Sequence, residues 1–167
     1  MNKLKKNNKA FTLIELLAVI VILGVLMIIA IPMVSKYIKQ SKQSAFVATA
    51  KAYIQSARYE YLNGDYTGDT CTNLDSGNGG IVYIKFTDID VDKTGGMSSF
   101  NKAILKDYSY VKIQSTSNGQ YTYSVYMVDN GGNVINETEE EKLERKNVTT
   151  GGKTDGPSTT FSNLCTK

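Results

Sequence analysis

The chain has 167 residues, enough for one compact domain of about 100–150 residues and an appendage. It contains no histidine and no tryptophan, which excludes Ser-His and Cys-His nucleophile pairs, imidazole metal ligands and any side chain that titrates near neutrality unperturbed. Lys and Arg number 19 against 16 Asp and Glu, but four lysines fall in residues 1–10; without them 15 cations face 16 acids, a balance of −1 that gives no ground for nucleic-acid binding. Catalysis by carboxylates alone stays chemically open, yet none of the familiar catalytic strings occurs, and Gly77-Asn78-Gly79-Gly80 lacks the Gly-Lys-Ser/Thr ending of a phosphate loop. The chain reads as a non-enzyme with no cofactor.

Residues 1–10 are polar and basic and end in the small residue Ala10. From Leu16 to Ile31 no side chain is charged or hydrogen-bonding, and with Leu13 and Val34 the run is long enough for a membrane helix of about 30 Å. Lysines lie on both sides, four before the run and Lys36, Lys39 and Lys42 after it, a modest bias toward a cytoplasmic leader. Glu15 sits inside the first turns of that run, where a carboxylate at bilayer depth costs of order 2–3 kcal/mol and calls for a partner. A small-residue cleavage site normally follows the apolar core of a secretory leader; here it precedes it, so a cut between Ala10 and Phe11 leaves the apolar helix on the product. Pro32 predicts a kink and Gly24 a helix penalty of about 1 kcal/mol, although both residues are also common in membrane helices generally.

The string Lys9-Ala10-Phe11-Thr12-Leu13-Ile14-Glu15 resembles the processing site of type IV prepilins. That resemblance covers about the first 40 residues, and everything it implies is an expectation. A prepilin peptidase cuts between Ala10 and Phe11 and N-methylates Phe11, and Glu15 is the assembly carboxylate. Gly24 and Pro32 match interruptions of the family's helix. The usual residue before the cut is Gly, from which Ala10 departs. The implied partners are copies of the chain itself or other pilins, the peptidase, the pilus assembly machinery and, before assembly, the membrane. The implied location is a single-pass membrane precursor and then an extracellular filament serving adhesion or motility. A pseudopilin of a type II secretion or DNA-uptake system shares this N-terminal pattern; a membrane-tethered binding protein that never polymerises leaves Glu15 and the leader unexplained.

Past Pro32, Val34, Ile38, Ser41, Ala45, Ala48 and Ala52 recur at helical spacing, flanked by Phe46, Val47, Ala50, Tyr53, Ile54 and Ala57. Residues 35–62 therefore read as an amphipathic helix, stopped at Asn63-Gly64-Asp65. Residues 63–167 read as a head: an irregular stretch over 65–80, strands at 81–86 and 108–113, a helical turn over 100–105, and a hairpin whose arms flank Asp129-Asn130-Gly131-Gly132-Asn133. The charges from Glu137 to Lys146 suggest a short solvated helix, and 149–160 a loop. A long N-terminal helix on three or four antiparallel strands is an α+β pilin-like fold.

Two further groups carry expectations. An even cysteine count in an exported chain suggests a Cys71–Cys165 bridge, which in the chain-entropy model contributes up to about 4.7 kcal/mol; two unpaired thiols are the alternative. Asp88, Asp90 and Asp92 alternate and would share one face of a strand, which raises calcium as a candidate ligand, but the string lacks the Gly and Glu of an EF-hand loop, so solvated carboxylates are the preferred reading and no metal is assigned.

Overall fold

A computed structural model describes residues 11–65, 80–91, 96–116 and 119–152, together with the backbone of 71–73. One helix, α1 (Leu13–Asn63), runs unbroken through Gly24 and Pro32. Pro32 removes one ladder hydrogen bond, but the surrounding Ile, Ala and Met keep the helical backbone on both sides of it. The helix stops where the sequence signals it: Gly64 takes φ 73°, its N–H reaches the Tyr61 carbonyl, and the Asp65 N–H reaches the Glu60 carbonyl at 3.0 Å. Those two bonds are the Schellman pattern, which satisfies carbonyls the helix end would leave open.

The chain divides into two compact units, residues 1–39 and 40–167. Within the second, six strands form an antiparallel meander in sequence order: β1 (Cys71–Asn73), β2 (Ile81–Lys85), β3 (Tyr110–Ser115), β4 (Tyr121–Val128), β5 (Val134–Glu139) and β6 (Val148–Thr149). Alternation sorts each strand. Val82 and Ile84, Val111 and Ile113, and Val125 and Met127 join the core with the helix, while Tyr83, Tyr110, Tyr126 and Val128 cluster separately. On the helix, Phe46, Val47, Ala50, Tyr53, Ile54 and Ala57 are buried, and Tyr53 stacks on Phe86 with centroids 3.7 Å apart. An α+β architecture of a long N-terminal helix on an antiparallel sheet is thus observed.

Several local expectations are corrected. The buried stripe of α1 is centred on Phe46, Ala50, Tyr53 and Ala57, and Ser41, Ala45 and Ala48 of the expected line are exposed. Small residues fit either side of a helix, whereas Phe and Tyr have most area to remove from water and so set its rotation. Residues 100–105 form no helical turn: Ala103 and Ile104 bridge to Met97 and Asp129, and a 3₁₀ turn follows at Lys106–Tyr108. Residues 137–139 continue β5 after a register shift opposite Val125 and Met127, and only 3₁₀ turns follow, at Glu140–Lys142 and Arg145–Asn147. Cross-strand partners explain this. Glu137 accepts bonds from Tyr110 Oη and Lys112 Nζ, both 2.9 Å, and Glu140 pairs with Arg58, itself stacked over Tyr123. Together these outweigh a local helix preference of a few tenths of a kcal/mol per charged pair.

The expected turn at 129–133 is present and is organised by a buried carboxylate. Asp129 Oδ1 accepts the N–H groups of Gly131 (2.9 Å) and Asn133 (3.0 Å), and Oδ2 accepts the Ser98 hydroxyl at 2.6 Å. Gly132 takes φ 75°, and its carbonyl accepts the Gly152 N–H at 2.9 Å. A Cβ at Gly132 would stand 1.9 Å from the Gly152 oxygen, so this position tolerates only glycine.

Candidate functional site

The residues singled out for assembly lie at the start of α1. Phe11 and Thr12 precede the helix, and Phe11 is 85 % exposed. Glu15 is the third helical residue, and its Oε2 accepts both the N–H and the hydroxyl of Thr12 at 2.8 Å. The Glu15 N–H faces Thr12 Oγ1 at 3.4 Å, and the first helical bond runs from the Leu16 N–H to the Thr12 carbonyl. This is a capping box, two otherwise open N–H groups being met by side chains three residues apart. Its Thr-x-x-Glu pattern stands in the sequence, where Glu15 is the acid in an apolar run that calls for a partner. Within one protomer it already has one.

Beyond Glu15 the described part of the first unit carries no other acid. Every large apolar side chain from Leu13 to Val34 is at least 48 % exposed, and this stretch is long and apolar enough to cross a membrane. At Gly24 an added Cβ would meet nothing within 4 Å, so no contact with the described residues requires glycine there. Ala10 and the rest of the leader lie outside the described residues, as does Cys165, and with it the expected bridge to Cys71.

The aspartate string is built differently from the expectation. Residues 86–89 turn instead of extending, with the Asp88 N–H on the Lys85 carbonyl, so the alternation that would align three carboxylates on a strand face is absent. Asp92 lies outside the described residues. Glu60 of α1 meets this turn: its Oε1 accepts the Asp90 N–H at 2.9 Å, and Ser56 Oγ donates to the Asp90 carbonyl at 2.6 Å. Among the described residues Glu60 Oε2 and Asp88 Oδ2 are buried without a hydrogen-bond partner. Burial, with the charges of Asp90, Asp88 and Asp65, pushes the Glu60 carboxyl above its ordinary range against the pull of the Asp90 N–H. Among the described residues no group of three or more acidic or thiol ligands converges as a metal site.

A family model described as the prokaryotic N-terminal methylation motif matches residues 5–31, spanning Ala10, Phe11, Glu15 and Gly24. No curated protein and no solved structure matches the chain. This class III leader motif is consistent with a type IV pilin-like or pseudopilin precursor, and the exposed apolar helix is compatible with a membrane-anchored one.

Proposed function

We propose that the chain is a filament subunit, a type IV pilin processed by prepilin peptidase and polymerised through residues 11–34. The observation that carries this reading is the combination of the methylation motif with a helix stretch whose large apolar side chains are about half exposed or more among the described residues and whose sole acid is Glu15. Cutting between Ala10 and Phe11 exposes an ammonium at Phe11, which is then methylated, and removes four lysines that resist leaving the cytoplasmic face. In the fibre the Phe11 ammonium of one subunit pairs with Glu15 of its neighbour. A buried carboxylate persists only when so partnered. Moving an apolar helix from lipid to a fibre core gains little hydrophobic energy, so packing and this polar pair select the geometry, and Gly24 and Pro32 mark the stretch of helix most easily reshaped. Adhesion or motility would be the fibre's service at the cell surface.

A pseudopilin of a type II secretion or DNA-uptake system is the second reading, favoured by the same matched motif. Mass spectrometry of purified fibres tests the proposal. The expected N-terminus is N-methylated Phe11, and a fibre map is expected to place it beside Glu15 of an adjacent subunit. Fibres that begin at Met1, or an acid remote from every such terminus, would refute it. Labelled long surface fibres select the pilus, and labelling confined to the cell envelope selects the pseudopilus.

A further inference from the structure

We propose that the cleft between residues 40–47 of α1 and residues 143–146 binds the headgroup of an anionic phospholipid, a phosphodiester carrying a glycerol or similar polyol. This rests on the reading that residues 11–34 anchor the precursor in a membrane. The cleft lies wholly within the second unit and has a volume of about 630 Å³. Its first lining residue, Gln40, follows Val34 by six positions of the same helix, about 9 Å of rise, which is the depth of a headgroup layer past the apolar run. The sequence is charged one way there. Lys36, Lys39 and Lys42 follow Val34 within eight residues, and no acid occurs from residue 35 to residue 59. Pairing of Phe11 with Glu15 leaves those cations unused.

Two more cations line the cleft on its other wall. Arg145 and Lys146 are exposed, and among the described residues no carboxylate pairs with Arg145. Lys146 Nζ lies 2.9 Å from Glu144 Oε2, an exposed pair that a phosphate can displace at little cost. Two cations against one acid leave one net positive charge on this wall, and Arg145 presents the planar fork that matches phosphate oxygens. The helix wall supplies acceptors. Gln43 Nε2 donates to the Val148 carbonyl at 3.2 Å and Ser44 Oγ to the Gln40 carbonyl at 3.0 Å, so among the described residues Gln43 Oε1 and the Ser44 lone pairs stay open to donors. Cations suit a phosphate and acceptors suit hydroxyls, whereas a choline headgroup would bring its own cation against Arg145 and Lys146. The complement is a phosphate followed by hydroxyls, as in phosphatidylglycerol, at a surface where each added cation strengthens attraction.

Full-length precursor in vesicles of phosphatidylcholine, with or without an equal share of phosphatidylglycerol, tests this through backbone hydrogen exchange over residues 140–149, with residues 110–115 as the internal reference. Phosphatidylglycerol is expected to slow exchange over 140–149 about fivefold relative to the reference, the effect of one net cation at an anionic surface. Arg145→Gln combined with Lys146→Gln should abolish the slowing. Glu144→Gln, which frees Lys146 and keeps an acceptor, should enlarge it about twofold further. Equal exchange in the two vesicle types, or slowing that survives the double substitution, overturns the proposal; the second outcome assigns the lipid to Lys36, Lys39 and Lys42 alone. Soluble glycerophosphoglycerol added to phosphatidylcholine vesicles separates the sources of the ligand, and slowing equal to that by the lipid overturns the membrane as its source. Precursor that fails to float with vesicles overturns the anchoring on which the site rests, a result distinct from any difference between lipids or variants.

Discussion

Leu23 and Phe46 belong to the same helix and are comparably apolar, yet Leu23 is 48 % exposed and Phe46 is fully buried. The difference lies in what each unit supplies. Residues 40–63 meet a sheet of their own chain, so their apolar stripe has an intramolecular partner. Among the described residues the large apolar side chains from Leu13 to Val34 stay at least 48 % exposed, a surface compatible with a membrane-anchored precursor. The two stretches differ in polar chemistry as well. In the second unit the buried Asp129 is met by donors from its own turn and from Ser98, whereas Glu15 has one local partner, Thr12, at an exposed helix start.

Substitutions should therefore separate cleanly into those that affect assembly and those that affect the head. The largest effect is expected from Glu15→Ala. Fibres seen by electron microscopy should be lost or sharply reduced while the head melts as in the wild type and processing is largely retained; normal fibres would break the comparison by showing that the acid is dispensable. Next is Gly132→Ala, which forces a Cβ onto the Gly152 oxygen at a positive φ and should cost about 2–4 kcal/mol in chemical unfolding of the head. Gly24→Ala, in open space, should leave head unfolding unchanged.

A smaller effect depends on pH. Because burial and its acidic neighbours hold Glu60 above its ordinary value of 4.5, the folded head binds that proton more tightly than the unfolded chain. The resulting penalty is absent below 4.5 and sets in as the pH rises through the raised folded value. Glu60→Gln, which can still accept the Asp90 N–H, should raise the melting temperature at pH 7, with the gain vanishing toward pH 4. A gain that persists at pH 4 would assign the effect to packing instead. The smallest change is expected from Tyr53→Phe. Among the described residues the buried Tyr53 hydroxyl has no partner, so removing it should be neutral or stabilise by up to about 1 kcal/mol. A loss of more than 1 kcal/mol would reveal a bonded water.

Local chemistry was legible where neighbours in the chain decide the conformation. The end of α1 at Gly64, the turn at Asp129–Asn133 and the alternation of Tyr121 to Val128 follow from φ preference, side-chain capping and period-two burial. The Thr12–Glu15 box is equally local, a pair three residues apart, although an acid in an apolar run points first to partners outside the segment. The misread segments are those where residues far apart compete with local preference. Glu137 and Glu140 looked helical beside Lys142 and Lys146, yet Lys112, Tyr110 and Arg58 claim them. Asp88 and Asp90 looked like strand residues, but the chain turns there and Glu60 meets the Asp90 N–H.

By itself the sequence determined the leader motif, the uninterrupted apolar run, the single acid within it and the position where α1 ends, because each depends on residues within about one helical turn or on composition alone. Only the tertiary structure decided which face of α1 is buried, that six strands follow one another in a meander, and that residues 137–139 join the sheet. Those outcomes depend on the apolar area and hydrogen-bond partners brought by segments distant in the chain, and for a marginally stable domain such contacts outweigh preferences of a few tenths of a kcal/mol per residue.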